Sequence, residues 1–408
     1  MPKIRFPVSL LVPAVALAAL GCARTPTAST PATVAAKPAA ASATPLQLTL
    51  PAPTGQDHLG VVSLHLIDHS RTDPWVQGHQ VRQLMISIWY PARDTARYPV
   101  TPWLEPAAAA HFEESEQIPP GIIQLPVTDG HEGAPVNRRE GGRPVVLFSP
   151  GSGEDRSIDT ALVEDLASHG YIVVTIDATH DSGEVEFPDG HIEVHTLPPD
   201  SDQVNTEATA VRVADTRFVL DQLAAIDAGH NPDAEHRPLP RGLAGALDLS
   251  EVGMFGHSIG GATAANAMLV DGRIKAGIDL DGTIWGPAAS KGLDRPFLLI
   301  SAQDNGRSID PTWASFWAHL RGWRLDLRLT GAEHLSFTDA VTLYPQAAPV
   351  LHLTAAQLAQ LVGTINGERA ITVERAYVRA FFDLQLRHHD TGLLDRPAPA
   401  YPEMQYIP

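Results

Sequence analysis

One stretch of this sequence, residues 252–268, constrains the fold more than any other. It reads VGMFGHSIGGATAANAM, so a short apolar run passes through Gly-His-Ser-Ile-Gly into an Ala-rich segment that favours a helix. Glycine two positions before and two positions after the serine permits a sharp, strained turn that exposes the serine oxygen. This is the pattern of a nucleophile elbow, G-x-S-x-G between a strand and a helix. It predicts that Ser258 is a nucleophile, although ordinary Gly/Ser turns also carry the pattern.

Strand and helix candidates alternate along the rest of the chain. Short continuous apolar runs, typical of buried parallel strands, lie at 143–148, 171–177, 252–255, 274–281, 296–304 and 324–330. Helix candidates between them lie at 158–169, 207–226 and 311–320. Helices between parallel strands cover both faces of a sheet. The sequence therefore predicts an α/β-hydrolase fold, with a mostly parallel central sheet and helices on both faces.

Two further strand candidates, 60–69 and 81–90, precede this series, and Pro91 is expected to end the second. The segment 96–142 is rich in Pro, Gly and acidic residues, and it is predicted to be irregular. It is too long for a simple connection, so it is a candidate border of the substrate entrance.

A histidine in the position of a catalytic base follows the last strand candidate. His334 ends the segment Gly-Ala-Glu-His directly after residues 324–330. In the chain order Ser, Asp, His, the histidine takes the proton from Ser258 and returns it to the leaving alcohol, while the aspartate orients the imidazole. Two aspartates qualify, because Asp281 and Asp304 each end a strand candidate. The residues alone do not choose between them.

A Gly-rich loop follows the strand candidate at 143–148. It reads Ser-Pro-Gly-Ser-Gly, residues 149–153, and it lacks the G-x-x-x-x-G-K-[ST] pattern of a phosphate-binding loop. In an α/β-hydrolase sheet this loop supplies one oxyanion donor through a backbone N–H, and the residue after the nucleophile supplies the other. The predicted oxyanion hole is therefore formed by the amides of Ser152 and Ile259.

Other polar residues are weaker candidates. His180 and Asp181 follow the strand candidate at 171–177, where ligands gather in such sheets, but a capping or surface role is the more ordinary interpretation of His180. A His-His-Asp cluster lies at 388–390. Adjacent residues of a helix face different directions, so we interpret the cluster as a solvated helix end and predict no metal site.

The first 21 residues are typical of an export signal. Lys3 and Arg5 precede an apolar core, residues 6–20, that is too short to span a membrane comfortably. The sequence Ala-Leu-Gly-Cys then resembles the lipobox of bacterial lipoproteins, and Cys22 is the only cysteine in the chain. We therefore predict a signal peptide at 1–21 and lipidation at Cys22.

The remaining organisation follows from composition. Residues 22–47 are almost entirely Ala, Thr, Pro and Ser after the cysteine, so they are predicted to be a disordered linker, with the catalytic domain at 48–408. A lipid anchor predicts an exported protein held at a membrane, periplasmic or at the cell surface, and secretion after ordinary cleavage is the alternative. The net charge of −18 argues against a nucleic-acid partner. The oligomeric state stays open.

The predicted catalytic domain resembles the platelet-activating-factor acetylhydrolases of the plasma, type II kind, in their bacterial branch. The resemblance covers roughly residues 58–405. It rests on His334, Phe337 and Asp339 and on the stretches 88–92 (IWYPA), 148–153 (FSPGSG), 187–190 (FPDG), 256–261 (GHSIGG), 278–281 (IDLD) and 377–383 (YVRAFFD). The chain departs from the family at Pro150, where a His often precedes the glycine, which alters the pocket wall.

The resemblance implies that the acid follows the sixth sheet strand, which favours Asp281. It also implies a serine carboxylic-ester hydrolase that forms an acyl-enzyme with short-acyl esters, such as the sn-2 acetyl group of a phospholipid, without a metal or cofactor. One alternative is a lipase or cutinase-like polyesterase of the same fold that uses Asp304. A second alternative is a non-catalytic binding lipoprotein.

Overall fold

The computed structural model describes residues 44–408. The strands in this range are β1 (Leu46–Gln47), β2 (His58–Thr72), β3 (Val81–Ala92), β4 (Val100–Pro102), β5 (Ile123–Gln124), β6 (Val127–Glu132), β7 (Arg143–Ser149), β8 (Ile172–Ile176), β9 (Glu184–Glu186), β10 (Ile192–Val194), β11 (Leu247–His257), β12 (Ile274–Leu280), β13 (Phe297–Ser301), β14 (Arg324–Leu329) and β15 (Met404–Tyr406). The helices are α1 (Pro106–Ser115), α2 (Thr160–Ser168), α3 (Asp202–Asp227), α4 (Ile259–Val270), α5 (Ala288–Lys291), α6 (Pro311–His319), α7 (Ala340–Leu351), α8 (Ala355–Val362) and α9 (Gly367–Leu386). Within the same range no helix is both long and apolar enough to cross a bilayer.

Eleven of these strands form one central sheet, in the order β15-β14-β13-β12-β11-β7-β8-β3-β2-β6-β4. The strands from β14 to β8 run parallel to one another, while β15 and β3 pair antiparallel at either side of this block. The chain passes from β7 to β8 on one side and returns as β11 on the other, so the direction of winding reverses between β7 and β11. Ligands of open α/β sheets bind at the carboxyl ends of the strands at such a point.

Each face of the sheet is covered by its own apolar core. Val146 and Phe148 of β7 point to the face covered by α2 and α9, and Val145 and Leu147 point to the face covered by α3, α4 and α6. Every residue of β7 is buried, which explains its continuous apolar sequence. The predicted architecture, a mostly parallel sheet with helices on both faces, is confirmed.

The segment 96–142 is more regular than the sequence predicted. It contains α1 and the short strands β4, β5 and β6. Pro106 begins α1, where a missing N–H has no cost, and Glu186 accepts the next two N–H groups of the helix at 2.7 and 2.9 Å. Trp103 donates its indole N–H to Asp339 at 2.9 Å. These partners are distant in sequence, so composition alone did not reveal the order of the segment.

The second predicted strand also runs further than expected. Pro91 does not end β3, which continues to Ala92. The neighbouring strand β8 pairs with β3 only as far as Trp89, so the proline lies where β3 has a strand on one side only. A proline is tolerated at such an edge-like position.

Residues before the predicted boundary at Leu48 already belong to the folded domain. β1 pairs in parallel with β5, and the N–H of Leu48 donates to the carbonyl of Gln124 at 2.9 Å. The side chain of Leu48 is buried in an apolar cluster with residues of α1 and α7. The last residues of the predicted 22–47 linker therefore pack with the domain. Cys22 and the predicted signal peptide lie outside the described residues.

Candidate active site

Ser258 lies on the predicted sharp turn between β11 and α4. Its backbone adopts φ 55° and ψ −124°, a conformation that is strained for any residue except glycine. A Cβ on Gly256 would lie 2.2 Å from the carbonyl carbon of Gly260, and a Cβ on Gly260 would lie 1.9 Å from the carbonyl oxygen of Ser149. Close backbone contacts therefore require both glycines of the motif.

His334 and Asp281 lie together at the carboxyl edge of the sheet. Asp281 follows β12, and its Oδ2 lies 2.7 Å from His334 Nδ1. Its other oxygen, Oδ1, accepts the N–H of Ala302 at 2.7 Å and the Asn305 side chain at 3.0 Å. Only 4% of the Asp281 side chain is exposed, against 32% for His334. A carboxylate fixed in this way can orient an imidazole that remains open to a substrate.

Backbone contacts bring Ser258 next to this pair. Its N–H donates to the carbonyl of Leu280 at 2.9 Å, one residue before Asp281. A Cβ on Gly282 would lie 2.0 Å from the carbonyl oxygen of Ser258, so the turn after β12 packs directly against the elbow. The structure thus brings the predicted serine, aspartate and histidine to one edge of the sheet.

Asp304, the other candidate acid, forms no hydrogen bond with the imidazole. It follows β13 and is exposed, and its side chain forms no hydrogen bond with any residue in 44–408. The next residue, Asn305, contacts Asp281 instead. The acid that is hydrogen-bonded to His334 is therefore Asp281. Asn305 was not predicted as a site residue, because it is one of many polar residues in strand-end loops.

The buried Arg212 of α3 donates hydrogen bonds to the loop 149–153 and fixes its position. Its guanidinium donates to the carbonyl of Gly151 at 3.0 Å and to Asp181 at 2.5 Å. Asp181 also accepts the hydroxyl of Ser152 at 2.8 Å. Because the N–H of a trans peptide points away from its C=O, the Ser152 amide points away from Arg212. No acceptor within residues 44–408 takes this N–H.

The amide of Ile259 is the second predicted donor. Ile259 is the first residue of α4, and the first N–H groups of a helix have no acceptor within the helix. In the described part of the chain nothing else accepts this N–H. Both predicted oxyanion donors are therefore free to bind a developing negative charge.

A buried Glu–His pair that the sequence analysis missed joins the loops of the site. Glu154 Oε2 accepts the N–H of Gly151 at 2.6 Å and lies 2.9 Å from His257 Nδ1. His257 Nε2 lies 3.0 Å from the carbonyl oxygen of His334, and the two imidazole rings are 4.4 Å apart. His257 is the first variable residue of the G-x-S-x-G motif, but its partner is 103 positions earlier, so spacing gave no signal.

The electrostatics of this pair are mutual. Burial opposes charge on both side chains, yet His257 holds the pKa of Glu154 below its ordinary value. Burial likewise opposes the protonation of His257, but the carboxylate of Glu154 raises its pKa above the ordinary value. The pair therefore favours a carboxylate beside an imidazolium.

The weaker candidates lie elsewhere. His180 is 1% exposed, and its ring nitrogens lie 3.6 Å from a carboxylate oxygen of Glu193 and 3.7 Å from one of Asp73, so the predicted capping or surface role is wrong. His388 follows α9 with 77% of its side chain exposed, as a solvated helix end would be. Across residues 44–408, no three His, Cys, Asp or Glu residues are grouped so that they could hold a metal ion.

Comparison with known proteins places this geometry in a family. The sequence model described as platelet-activating factor acetylhydrolase, isoform II, matches residues 44–391. This chain belongs to that family. The resemblance inferred from the short motifs is confirmed over most of the chain. The predicted activity, ester hydrolysis, is confirmed as well.

Individual relatives agree. A probable 1-alkyl-2-acetylglycerophosphocholine esterase from Arthroderma benhamiae is 30% identical, over 90% of this chain and 96% of that protein. A platelet-activating factor acetylhydrolase from Cavia porcellus is 26% identical over 48% of each chain. The solved ferulic acid esterase from Streptomyces cinnamoneus superposes with a TM-score of 0.76 and 34% identity, over 88% of this chain and 99% of that one. The chain is a carboxylic-ester hydrolase with the α/β-hydrolase fold.

Proposed function

We propose that this enzyme hydrolyses short-acyl esters through an acyl-enzyme on Ser258. The observation that carries the proposal is the 2.7 Å contact between Asp281 and His334, beside a serine held on a strained turn. His334 accepts the proton of Ser258 as the hydroxyl attacks the ester carbonyl, and it gives that proton to the departing alcohol. Water activated by His334 then releases the carboxylic acid and restores the serine.

Asp281 is the proposed acid of this triad. A carboxylate bonded to Nδ1–H holds the imidazole in the tautomer whose Nε2 is the base, and it stabilises the imidazolium that forms. Asp304 is exposed, which argues against the alternative of a lipase or polyesterase whose triad acid is Asp304. The binding-only alternative has no support from the family or the relatives.

The amides of Ser152 and Ile259 are the proposed oxyanion hole. Each is an N–H group without an acceptor in residues 44–408, and the second begins α4, where the helix dipole is positive. A donor of this kind contributes roughly 3–4 kcal/mol to transition-state stabilisation in enzymes where it has been removed. No metal or cofactor is needed for this reaction.

The proposed substrate class is a phospholipid with acetyl or another short acyl chain at sn-2. The family assignment and the name of the Arthroderma benhamiae relative support it. The test is hydrolysis by the full-length chain of p-nitrophenyl esters from acetate to palmitate and of 1-alkyl-2-acetylglycerophosphocholine.

We expect the highest kcat/KM with acetate or butyrate, a steep fall with longer chains, and clear turnover of the phospholipid. The control Ser258→Ala should lower kcat by about 10³-fold or more. Activity that peaks at long chains would favour a lipase. Activity that persists in Ser258→Ala would contradict the proposed nucleophile.

A second candidate substrate is a feruloyl ester. It is favoured by the 34% identity and near-complete coverage of the Streptomyces cinnamoneus ferulic acid esterase. Methyl ferulate in the same assay decides between the two, because a higher kcat/KM for methyl ferulate than for p-nitrophenyl acetate would reject the acetyl preference. The same Ser258→Ala control applies.

The proposed location is a membrane surface outside the cytoplasm, through a lipid on Cys22. Its support is the sequence alone: a short apolar signal core before the only cysteine. The chain expressed in a bacterial host with labelled palmitate should carry the label in the membrane fraction, and Cys22→Ala should lose it. Equal labelling of the two chains would reject the anchor, and soluble unlabelled protein would indicate ordinary secretion.

A further inference from the structure

The Glu154–His257 pair lies where three loops of the proposed site meet. Glu154 belongs to the loop after β7, His257 to the elbow, and His334 to the loop after β14. Both ring nitrogens of His257 face acceptors, a carboxylate oxygen at 2.9 Å and a carbonyl oxygen at 3.0 Å. An imidazole donates from both nitrogens only when it is protonated. His257 is fully buried, so water cannot replace either acceptor.

We propose that His257 is an imidazolium whose two N–H groups connect the loop that carries His334 to the loop 149–153, which carries the Ser152 amide and is here called the oxyanion loop. We propose further that Glu154 keeps His257 protonated. Glu154 and His257 are thus positioning residues for the catalytic base and the oxyanion donor. The inference rests on the proposed function, since it takes His334 as that base and Ser152 as that donor.

The hydrogen bonds of both loops depend on the charge of one oxygen atom of Glu154. Glu154 Oε2 accepts from both Gly151 and His257, so the same atom holds the oxyanion loop and the imidazolium. Glutamine keeps the size of glutamate but can place only one group, either C=O or NH₂, at that position. The substitution Glu154→Gln therefore removes the charge without opening a cavity.

Several ionisable groups surround the pair. His257 is within electrostatic range of Glu154, Asp281, His334 and Glu374. Glu154 is within range of His257, His334, Asp155, Asp159 and Tyr344. Among the groups that favour the imidazolium, Glu154 has the largest influence, and burial opposes it. Without the charge of Glu154, burial prevails, and the pKa of His257 falls.

A neutral His257 has a single N–H, and this has consequences in Glu154→Gln. If the amide C=O of the glutamine faces Gly151 and His257, a neutral His257 can donate to it from Nδ1. Its Nε2 then has no proton, so it cannot donate to the carbonyl of His334. If the NH₂ group faces the pair, it donates to Nδ1, but Gly151 N–H then faces another donor. In either case one loop loses its hydrogen bond above the pKa of His257, while both bonds persist below it.

The test is kcat/KM for p-nitrophenyl acetate between pH 5.5 and 8.5, with the full-length wild type and Glu154→Gln. We expect the two enzymes to agree within about threefold at pH 5.5, and the variant to be at least about tenfold slower at pH 8.5, as the loss of one buried hydrogen bond predicts. KM should change little, since Glu154 is not proposed to contact the substrate. A ratio of wild type to variant that stays constant with pH would overturn the proposal.

The matched control is Glu184→Gln. Glu184 is a buried carboxylate in another Glu–His pair, with Oε2 3.1 Å from Nδ1 of the partly exposed His111, and it has no hydrogen bond to the triad or to loop 149–153. The same substitution there should leave the ratio to wild type independent of pH. An equal pH dependence in both variants would assign the effect to general destabilisation and reject the proposal. Thermal melting confirms that each variant is folded.

A spectroscopic measurement tests the pair without using activity. In nitrogen-15 NMR of histidine-labelled protein at pH 8, wild type should show one imidazole protonated on both nitrogens, and Glu154→Gln should show it neutral. The absence of that signal from His257→Gln assigns it. Wild type with no imidazolium at pH 8 would overturn the proposal. If instead Ser258→Ala retained full activity, the proposed function would fail while this measurement still judged the pair.

Discussion

Two sets of buried carboxyl groups in this enzyme differ in how they are satisfied. At the carboxyl edge of the sheet, Asp281 accepts hydrogen bonds from three groups, and Glu154 accepts them from a backbone amide and an imidazole. Between α2 and α9, all four carboxyl oxygens of Asp159 and Glu374 lack a partner in residues 44–408. Burial raises the pKa of both of these residues, that of Glu374 to about 8.

The difference shows what keeps a buried carboxyl group charged. Donors and an imidazole facing the group favour the carboxylate, while burial near other acids favours the protonated form. Proximity to the catalytic edge is not sufficient, since Asp159 follows Glu154 by only five positions. We expect the first set to matter for activity and the second for the pH dependence of stability.

The largest expected effect is that of Asp281→Asn. The amide has the same shape but no charge, so it cannot stabilise the imidazolium of His334 and favours the wrong tautomer. We expect kcat to fall by about 10³–10⁴-fold. Steady-state hydrolysis of p-nitrophenyl acetate measures this, and Asp304→Asn is the control that should stay within about twofold of wild type. A comparable loss in the control would transfer the acid role to Asp304.

A smaller effect is expected of Asn305→Ala. This change removes one of the three hydrogen bonds onto Asp281 and leaves the carboxylate charged. We expect kcat/KM to fall about tenfold, the value of one such bond to a charged group. Asp304→Ala, a truncation of the exposed neighbour in the same loop, should have almost no effect. If Asn305→Ala were as active as that control, the orientation of Asp281 would depend on His334 and Ala302 alone.

The smallest effect on activity is expected at Glu374, because this residue influences stability and not the reaction. In the folded state Glu374 keeps its proton to about pH 8, while its ordinary value is 4.5, so unfolding releases a proton between these limits. Its contribution to the free energy of unfolding is therefore fully present below pH 4.5 and is lost as pH rises towards 8.

Glu374→Gln removes this titration. We expect the free energy of unfolding of the variant to rise relative to wild type by about 4 kcal/mol between pH 5 and pH 8.5. Urea unfolding at the two pH values measures it, with Glu368→Gln, an exposed position of the same helix, as the control. No difference between the two variants would mean that Glu374 is charged in the folded enzyme.

The fold was predictable because its strongest signals are local. Val145 to Phe148 form an apolar run that only a strand buried on both faces needs, and the elbow around Ser258 is encoded by adjacent residues. Helix α1 was missed, since the residue that accepts its first N–H groups, Glu186, is far along the chain.

The site was predictable only in part. Spacing brought Asp281 and Asp304 to the same edge of the sheet, and only the family resemblance favoured the first. The structural reason is the backbone at Asp281. Its φ is 57°, and its N–H donates to the carbonyl of Ile300; this conformation turns the side chain towards His334. The pattern of apolar residues in a strand does not predict such backbone geometry. It does not predict the pairing of Glu154 with His257 of the elbow either.

The short strand Met404–Tyr406 has a role that its size conceals. It pairs antiparallel with β14 and covers the outer side of the last parallel strand. A chain cut before Met404 would leave unpaired the N–H and C=O groups of β14 that face away from β13, and an open strand edge of this kind recruits strands from other molecules. The strand Met404–Tyr406 thus protects this enzyme against aggregation, and fusion tags are better placed where they do not disturb its pairing.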